Sequence, residues 1–466
     1  MTALLNNTES SKQTEIYRQA RLSRDPRFDG MFFVAVMSTH IFCRPICPAR
    51  LPAEKNVRYY THAVQAMAAG FRPCLRCRPD SAPGSNAWQG IDTTVSRAVQ
   101  LLIALPAQRI DQIAKRLGIT PRYLHQLVTR QLGLTPKKLQ LYQQLLFAKQ
   151  LLQQSELSVT DVACACGFRS ERRLQHLMQQ QWGLTPNRLR RALPVSPDAS
   201  STQLFLACRT PYNWPQVKEF LAVHALPLAE QVTADSYALT FNWHNSAGCL
   251  KATYDAQKNG FYVAIKITDL RFIQPVMRNL ARVLDVNADP QLIQKALVAA
   301  GVQTDQLVEG LRLPGTWSYF EAGCRAVLGQ QISVKAATNY ANQLIEKAGQ
   351  KNQFGWVFPS PAAVANMPLE ALRLPASRQT TLRTLARAFD NHSDIPSRSE
   401  LLALKGIGPW TCDYMQIRGA AHSDIYLNSD LVVKKAASKQ TIIPDAAAPW
   451  RTYLTLQLWD IAVNQI

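Results

Sequence analysis

Four of the chain's ten cysteines fall near its start, at Cys43, Cys47, Cys74 and Cys77. They form a Cys-x3-Cys pair and a Cys-x2-Cys pair with 26 residues between them. Two close thiol pairs joined by a loop can close a tetrahedral zinc site. Spacing alone leaves two roles open for such a site. It can be a staple for a small domain, or one zinc-bound thiolate can also act as a nucleophile. Arg44, Arg50, Arg72, Arg76 and Arg78 surround the cysteines, which suits a metal site set against nucleic acid. A second constellation lies far downstream. Leu404-Lys-Gly-Ile-Gly-Pro-Trp410 reads as a hairpin in which Gly406 and Gly408 let the backbone approach a phosphate. Asp430 follows twenty residues after Trp410, just ahead of Leu431-Val-Val433. Its carboxylate is either a helix N-cap or a reactive group.

These residues need a scaffold of several domains. A chain of 466 residues exceeds one ordinary domain, and 47 % hydrophobic content is ample for several cores. The net charge is +20 and the pI about 9.7, which favours polyanionic partners such as DNA. The excess is uneven: residues 1–200 carry +15 and residues 201–466 carry +5. The first 19 residues are polar, and no run approaches the ~18 apolar residues of a membrane span. The expectation is a cytoplasmic protein without membrane contact, in which cysteines are ligands, nucleophiles or core residues.

Small, polar stretches at 81–86 and 194–202 read as linkers. Between them lies an internal repeat: Gly133-Leu-Thr-Pro136 returns as Gly183-Leu-Thr-Pro186. Ahead of each copy, two apolar helical stretches flank a glycine, Gly118 or Gly167. This pattern predicts two helix-turn-helix units, with Cys164 and Cys166 in the core. Farther on, residues 236–243, 250–254 and 261–267 are rich in strand formers, and Asn259-Gly260 marks a hairpin. From about residue 275 the pattern is helical to the end. The fold class expected is multidomain and mainly α with α+β parts. It comprises a small zinc-bound α/β domain, a tandem helix-turn-helix, a small antiparallel-sheet subdomain and an all-helical helix-hairpin-helix domain.

The segments Ile41-Phe-Cys-Arg-Pro-Ile-Cys47 and Gly70-Phe-Arg-Pro-Cys-Leu-Arg-Cys-Arg-Pro-Asp80 resemble the N-terminal domain of the Ada response proteins. That resemblance implies that Cys43 irreversibly takes a methyl group from a methylated DNA phosphate. Cys43, Cys47, Cys74 and Cys77 would then bind one zinc, and Thr39, Arg50 and Arg72 would hold the DNA backbone. Converting one thiolate to a thioether removes one negative charge, which tightens DNA binding. Residues 90–192 resemble the AraC-type DNA-binding domain, with recognition helices expected at 121–131 and 170–182. Arg122, Arg130, Arg169, Arg172 and Arg173 are placed to meet phosphates or guanine edges.

From about residue 204 to the end the chain resembles AlkA-type 3-methyladenine DNA glycosylases. The segments that carry this are Arg312-Leu-Pro-Gly315, Ala326-Val-Leu-Gly-Gln-Gln-Ile-Ser333, the hairpin and the Asp430 segment. The resemblance implies that Asp430 is the catalytic carboxylate, that Trp410, Tyr414 and Trp459 line a base pocket, and that Gln331 is the wedge. It also implies a monofunctional enzyme, because tryptophan at 410 replaces the lysine that forms a Schiff base in related bifunctional glycosylases. Two departures stand out: a well-known AlkA has leucine at the Gln331 position and Pro-Asp where this chain has Asn428 and Ser429. No Pro-Cys-His-Arg site for a second methyltransferase occurs, the nearest segment being Ala207-Cys208-Arg209.

The domains expected are 1–85 (zinc methyl acceptor), 86–193 (tandem helix-turn-helix), 203–305 (α/β subdomain) and 306–466 (helix-hairpin-helix glycosylase). The function implied is a bifunctional alkylation-response protein: a sensor of methylphosphotriesters, an activator of repair genes and an excision enzyme. The alternative is a regulator whose glycosylase-like half binds DNA without catalysis. Zinc is the cofactor implied. The partners expected are double-stranded DNA and RNA polymerase, and the chain is expected to act as a monomer.

Overall fold

The computed structural model describes residues 7–464 apart from 26–27, 30, 62, 75, 78, 80–92, 191–200, 331, 369–371, 373 and 392–394. Arg78, Gln331 and most of the two linkers lie outside the described residues. The chain forms two compact units. One comprises residues 1–209 with 263–277, and the other comprises 210–262 with 278–466.

The first unit begins with the helix Asn7–Ser23 and a four-stranded sheet. Its strand order is Val57–Tyr60, Phe33–Val36, Ile41–Cys43, Arg72–Pro73. The first three strands pair antiparallel, and the last runs parallel to Ile41–Cys43 with Ile41 opposite Arg72. Tyr17 stacks on Phe32 at 4.2 Å, and Ala20, Phe32 and Val34 form one buried cluster. Phe33, Ala35, Phe42, Ala66, Met67 and Phe71 are buried as well, so the sheet carries an apolar core beside the cysteine cluster.

The middle of this unit is helical, and the repeated Gly-Leu-Thr-Pro motif explains its own geometry. Gly133 ends the helix Pro121–Leu132 in the left-handed conformation that glycine tolerates. Thr135 then caps the next helix by accepting from Lys138 N–H, and Pro136 fills its first turn. The second copy repeats the left-handed Gly183 and the Pro186 start after the helix Glu171–Trp182. The 19-residue helix Pro136–Gln154 joins the two helix-turn-helix units. Both recognition helices thus lie within one residue of their expected bounds. Cys166 is buried, but Cys164 is exposed, contrary to expectation, because it falls on the outward face of Val159–Ala165.

This unit also contains residues 201–209 and 263–277. Leu105 N–H donates to Gln274 Oε1 at 3.1 Å, and Gln274 Nε2 donates back to Ile103 O at 3.4 Å. Phe205 N–H donates to Gln154 Oε1 at 2.8 Å. Thr202, expected in a linker, opens the strand Thr202–Ala207.

In the second unit the strands Glu230–Val232, Ser236–Trp243 and Ser246–Asp255 form an antiparallel meander. Asn259 adopts a positive φ at the expected hairpin. The helical part has two apolar cores, one around Tyr319–Leu328 and the other around Arg451–Asn464. It is not wholly helical, a correction to the expectation. Gln350–Asn352 and Gly355–Val357 form a two-stranded ribbon, tied to the meander by Asn352 Nδ2 donating to Phe241 O at 3.1 Å. Three-residue strands are too short for a period to register.

The hairpin predicted at 404–410 follows Arg398–Leu402, and its last two residues open the helix Pro409–Ala420. A capping box between Ser397 and Glu400 starts the first helix, and an ion pair between Arg398 and Asp413 joins the two. Gly406 has φ +88°, and a Cβ there would collide with Thr381 Oγ1. Only glycine meets both demands.

Candidate metal centre and glycosylase site

The small sheet assembles the four cysteines. Cys43 ends its strand, and Cys74 follows the neighbouring parallel strand, with Cys74 N–H donating to Phe42 O at 2.9 Å. A tight turn brings Cys47 back, its N–H donating to Arg44 O at 3.1 Å. The four Sγ atoms lie within 4.8 Å of one another. Hydrogen bonding with Cys47 pushes the Cys43 thiol up, while hydrogen bonding with Cys43 pulls Cys74 down. Thiols packed this closely compete for protons, and a cation ends the competition by taking all four as thiolates. The cluster therefore fits one zinc.

The four sulfurs are not equivalent. Cys47, Cys74 and Cys77 are each only 8 % exposed, whereas Cys43 is more open. Arg44 N–H donates to Cys77 Sγ at 3.3 Å, and its guanidinium donates to Cys77 O. Arg44 also pairs with the buried carboxylate of Asp29. Sequence placed Arg44 among the cations around the site. The structure commits it to Asp29 and Cys77. Thr39 and Arg50 are exposed and Arg72 is half-buried. Thr39 lies in the turn that leads into the Cys43 strand, and Arg72 lies beside Ile41.

On the helix-turn-helix units, Arg122, Arg130, Arg169, Arg172 and Arg173 are all exposed. Leu124, Val128 and Leu132 bury the opposite face of the first recognition helix, and Leu174, Leu177, Met178 and Trp182 bury that of the second. Ser170 caps the second helix from Arg173 N–H.

Asp430 sits at the N-cap of Leu431–Ala437, where its Oδ1 accepts from Val432 N–H at 3.0 Å and Val433 N–H at 3.1 Å. Two indoles meet the same carboxylate: Trp410 Nε1 donates to Oδ2 at 3.2 Å, and Trp459 Nε1 donates to Oδ1 at 3.3 Å. Trp410 stacks on Tyr414, with ring centroids 5.2 Å apart. Beneath them, buried Arg418 lies over the Phe220 ring at 4.4 Å and donates to Tyr414 Oη at 3.4 Å. The structure therefore unites all four residues expected of the site. Of the two roles posed for Asp430, the helix N-cap is observed, and the same carboxylate also accepts from the two indoles. Sequence treated the tryptophans as pocket walls and missed their indole bonds to the carboxylate. No spacing signals those bonds, because positions 410, 430 and 459 belong to three separate helices. Gln330, whose amide donates to Gly406 O, and Arg378, which donates to the Gln330 carbonyl, were also missed.

The chain is similar to known proteins along most of its length. Residues 16–80 match the metal binding domain of Ada, residues 95–192 match a helix-turn-helix domain and residues 203–318 match the AlkA N-terminal domain. The probable bifunctional transcriptional activator/DNA repair enzyme AlkA of Mycobacterium tuberculosis is 33 % identical over 473 residues, covering 94 % of each chain. The bifunctional transcriptional activator/DNA repair enzyme Ada of Escherichia coli is 36 % identical over 172 residues, which is 37 % of this chain and 48 % of that protein. DNA-3-methyladenine glycosylase 2 of Escherichia coli is 29 % identical over 268 residues, covering 53 % of this chain and 94 % of that one. With an Ada-type zinc domain, a helix-turn-helix region and an AlkA-type half in one chain, this protein belongs to the family of bifunctional transcriptional activator/DNA repair proteins.

Proposed function

We propose that this chain senses DNA alkylation through Cys43, activates repair genes through its tandem helix-turn-helix, and excises alkylated bases such as 3-methyladenine through Asp430. The working domains are 1–85, 86–193, 203–305 and 306–466. Two recognition helices in one chain allow a monomer to bind a promoter, where RNA polymerase is the partner to be recruited. Among the described residues no helix is long and apolar enough to cross a membrane. The cytoplasm, where thiols stay reduced, suits this reading.

At the first site the Cys43 sulfur attacks the methyl carbon of a methylphosphotriester. An S–CH3 bond forms, the C–O bond breaks, and the ordinary phosphodiester departs with the electron pair on oxygen. A zinc ion bound by Cys43, Cys47, Cys74 and Cys77 would keep the attacking sulfur deprotonated at neutral pH. Burial of Cys47, Cys74 and Cys77 leaves Cys43 as the accessible sulfur. Thr39, Arg50 and Arg72 fix the DNA backbone, and Arg44 with Asp29 sets the turn. The acceptor is consumed, so this step is stoichiometric.

At the second site the damaged purine leaves the helical stack. Gly406 and Gly408 admit the phosphate to the hairpin backbone, and the Trp410–Tyr414 stack receives the cationic base. As the glycosidic bond breaks, its electron pair goes to the base and the Asp430 carboxylate stabilises the oxocarbenium-like sugar. Water then adds to the sugar carbon and loses a proton, leaving an abasic site. Trp410 offers no amine for a Schiff base, which favours a monofunctional enzyme. The observation that carries this reading is the Asp430 carboxylate fixed by two indoles and two backbone N–H groups beside a stacked aromatic pair. The test is release of 3-methyladenine from methylated duplex DNA by the intact protein and by Asp430→Asn. Release that disappears in the variant supports excision. No release by folded, zinc-loaded protein leaves only a methylation-sensing regulator.

A further inference from the structure

We propose that Gln330 is a positioning residue for base extrusion, a reading that rests on the glycosylase activity proposed above. The helix Tyr319–Leu328 ends at Gly329, whose N–H donates to Arg325 O at 2.9 Å. The next residue is held on both of its polar faces. Gln330 Nε2 donates to Gly406 O at 3.0 Å and reaches Thr411 Oγ1 at 3.5 Å. Its own backbone carbonyl accepts from Arg378 Nη2 at 2.7 Å.

Arg378 lies in the first turn of Ala376–Asp390, and that helix grips the hairpin as well. Thr381 Oγ1 shares its proton between Ser377 O at 3.0 Å and Lys405 O at 3.1 Å, and it fills the space a Cβ on Gly406 would need. Two successive hairpin carbonyls, Lys405 and Gly406, are therefore tethered, one by Thr381 and one by Gln330. The hairpin is the element whose backbone meets a DNA phosphate. Gln330 precedes Gln331, the position assigned to the wedge by resemblance. Extrusion requires pressure on the base pair while the backbone is held. Two elements that move independently would lose that geometry, whereas a bond between them presets it before DNA arrives. Glutamine suits the post, because its amide can donate to one element while its backbone carbonyl accepts from another.

The test uses the full-length, zinc-loaded protein, Gln330→Met and Arg378→Met, all at saturating concentration. The DNA is a duplex carrying a mismatched fluorescent adenine analogue that brightens on leaving the stack. Methionine matches glutamine in size but cannot donate to Gly406 O. The brightening is expected to fall about fivefold to tenfold in Gln330→Met, the factor corresponding to one hydrogen bond. It should fall by less in Arg378→Met. For 3-methyladenine release, kcat should fall in parallel while KM changes little, and thermal midpoints should stay put. Asp430→Asn, by contrast, should lose release and keep the brightening. Unchanged brightening in Gln330→Met overturns the proposal, as does a loss that merely follows a lowered melting temperature. If the intact protein brightens the analogue but releases no base, the enzymatic reading fails. The variant's brightening still decides the role of Gln330 in that case.

Discussion

The Cys43 site and the Asp430 site are built in opposite ways. The sulfurs come from one short stretch, residues 43–77, on adjacent strands and the turns that follow them. The carboxylate is held by side chains from Pro409–Ala420 and Arg451–Asn464 and by the backbone of Leu431–Ala437. The difference matches the chemistry proposed for each site. An acceptor that reacts once needs one exposed sulfur and a local frame that keeps the others covered. An enzyme that turns over must receive, hold and release a base, and that takes walls from several elements. If the two sites are as separate as their construction, each can be removed without touching the other.

Cys43→Ala should abolish methyl uptake from labelled methylphosphotriester DNA altogether. The same protein should release 3-methyladenine within about twofold of the unaltered rate, since the two sites share no residue. A matched loss of excision would break the contrast. Asp430→Asn should give the mirror image, with excision down by about a thousandfold and methyl uptake intact.

The frame around the sulfurs has its own weak point. Arg44 and Asp29 form a pair that is nearly buried, with side chains 14 % and 7 % exposed. Asp29→Asn leaves a guanidinium short of its charge partner, at a cost of about 3 kcal/mol. The expected signs are faster zinc loss to a chelator and unchanged base release. Normal zinc retention would mean that the cysteine turn stands without this pair. Trp459→Phe asks the corresponding question of the other site with a milder change. It removes one indole N–H from Asp430 and should slow excision about tenfold. A loss as large as that of Asp430→Asn would show that the ring packs the site and does more than orient the carboxylate.

The contrast also explains what the sequence could reveal. Four cysteines within 35 residues carry their ligand pattern in plain spacing. The repeated Gly-Leu-Thr-Pro encodes a left-handed end and a proline start, with a threonine cap bond in the first copy, so both recognition helices are legible to within a residue. At Asp430 the residue types were readable only through resemblance, and the indole bonds were not readable at all. Hydrogen bonds between positions 20 and 29 residues apart on different helices leave no period. The same is true of Gln274, whose partners Ile103 and Leu105 lie about 170 positions away in sequence. Cys164 failed for a simpler reason: residues two positions apart on a helix point to nearly opposite faces, so Cys164 and Cys166 cannot both face inward.

Acid provides the smallest and most selective probe of the two regions. At the cysteines, falling pH protonates sulfurs and releases metal. In the second unit it acts through His224, the last residue of Trp214–His224. Its Nδ1 lies 2.8 Å from Phe220 O and its ring stacks on Phe220 at 4.4 Å. Burial pushes His224 down to about 3, and the positive charges of Arg418 and Arg325 add to the shift. In the unfolded chain histidine titrates near 6.5. Its stability contribution is therefore intact above about pH 6.5 and is lost as pH falls towards 3, because the unfolded chain takes up a proton that the folded one refuses. At pH 5.5 the loss is about 1 kcal/mol. His224→Gln removes this titration while leaving the cysteines untouched. Its urea midpoint, followed by surviving base release, should fall less than that of the unaltered protein between pH 7.5 and 5.5. Equal falls would mean that acid weakens this half through other groups, and that the buried neutral imidazole does not set its pH limit.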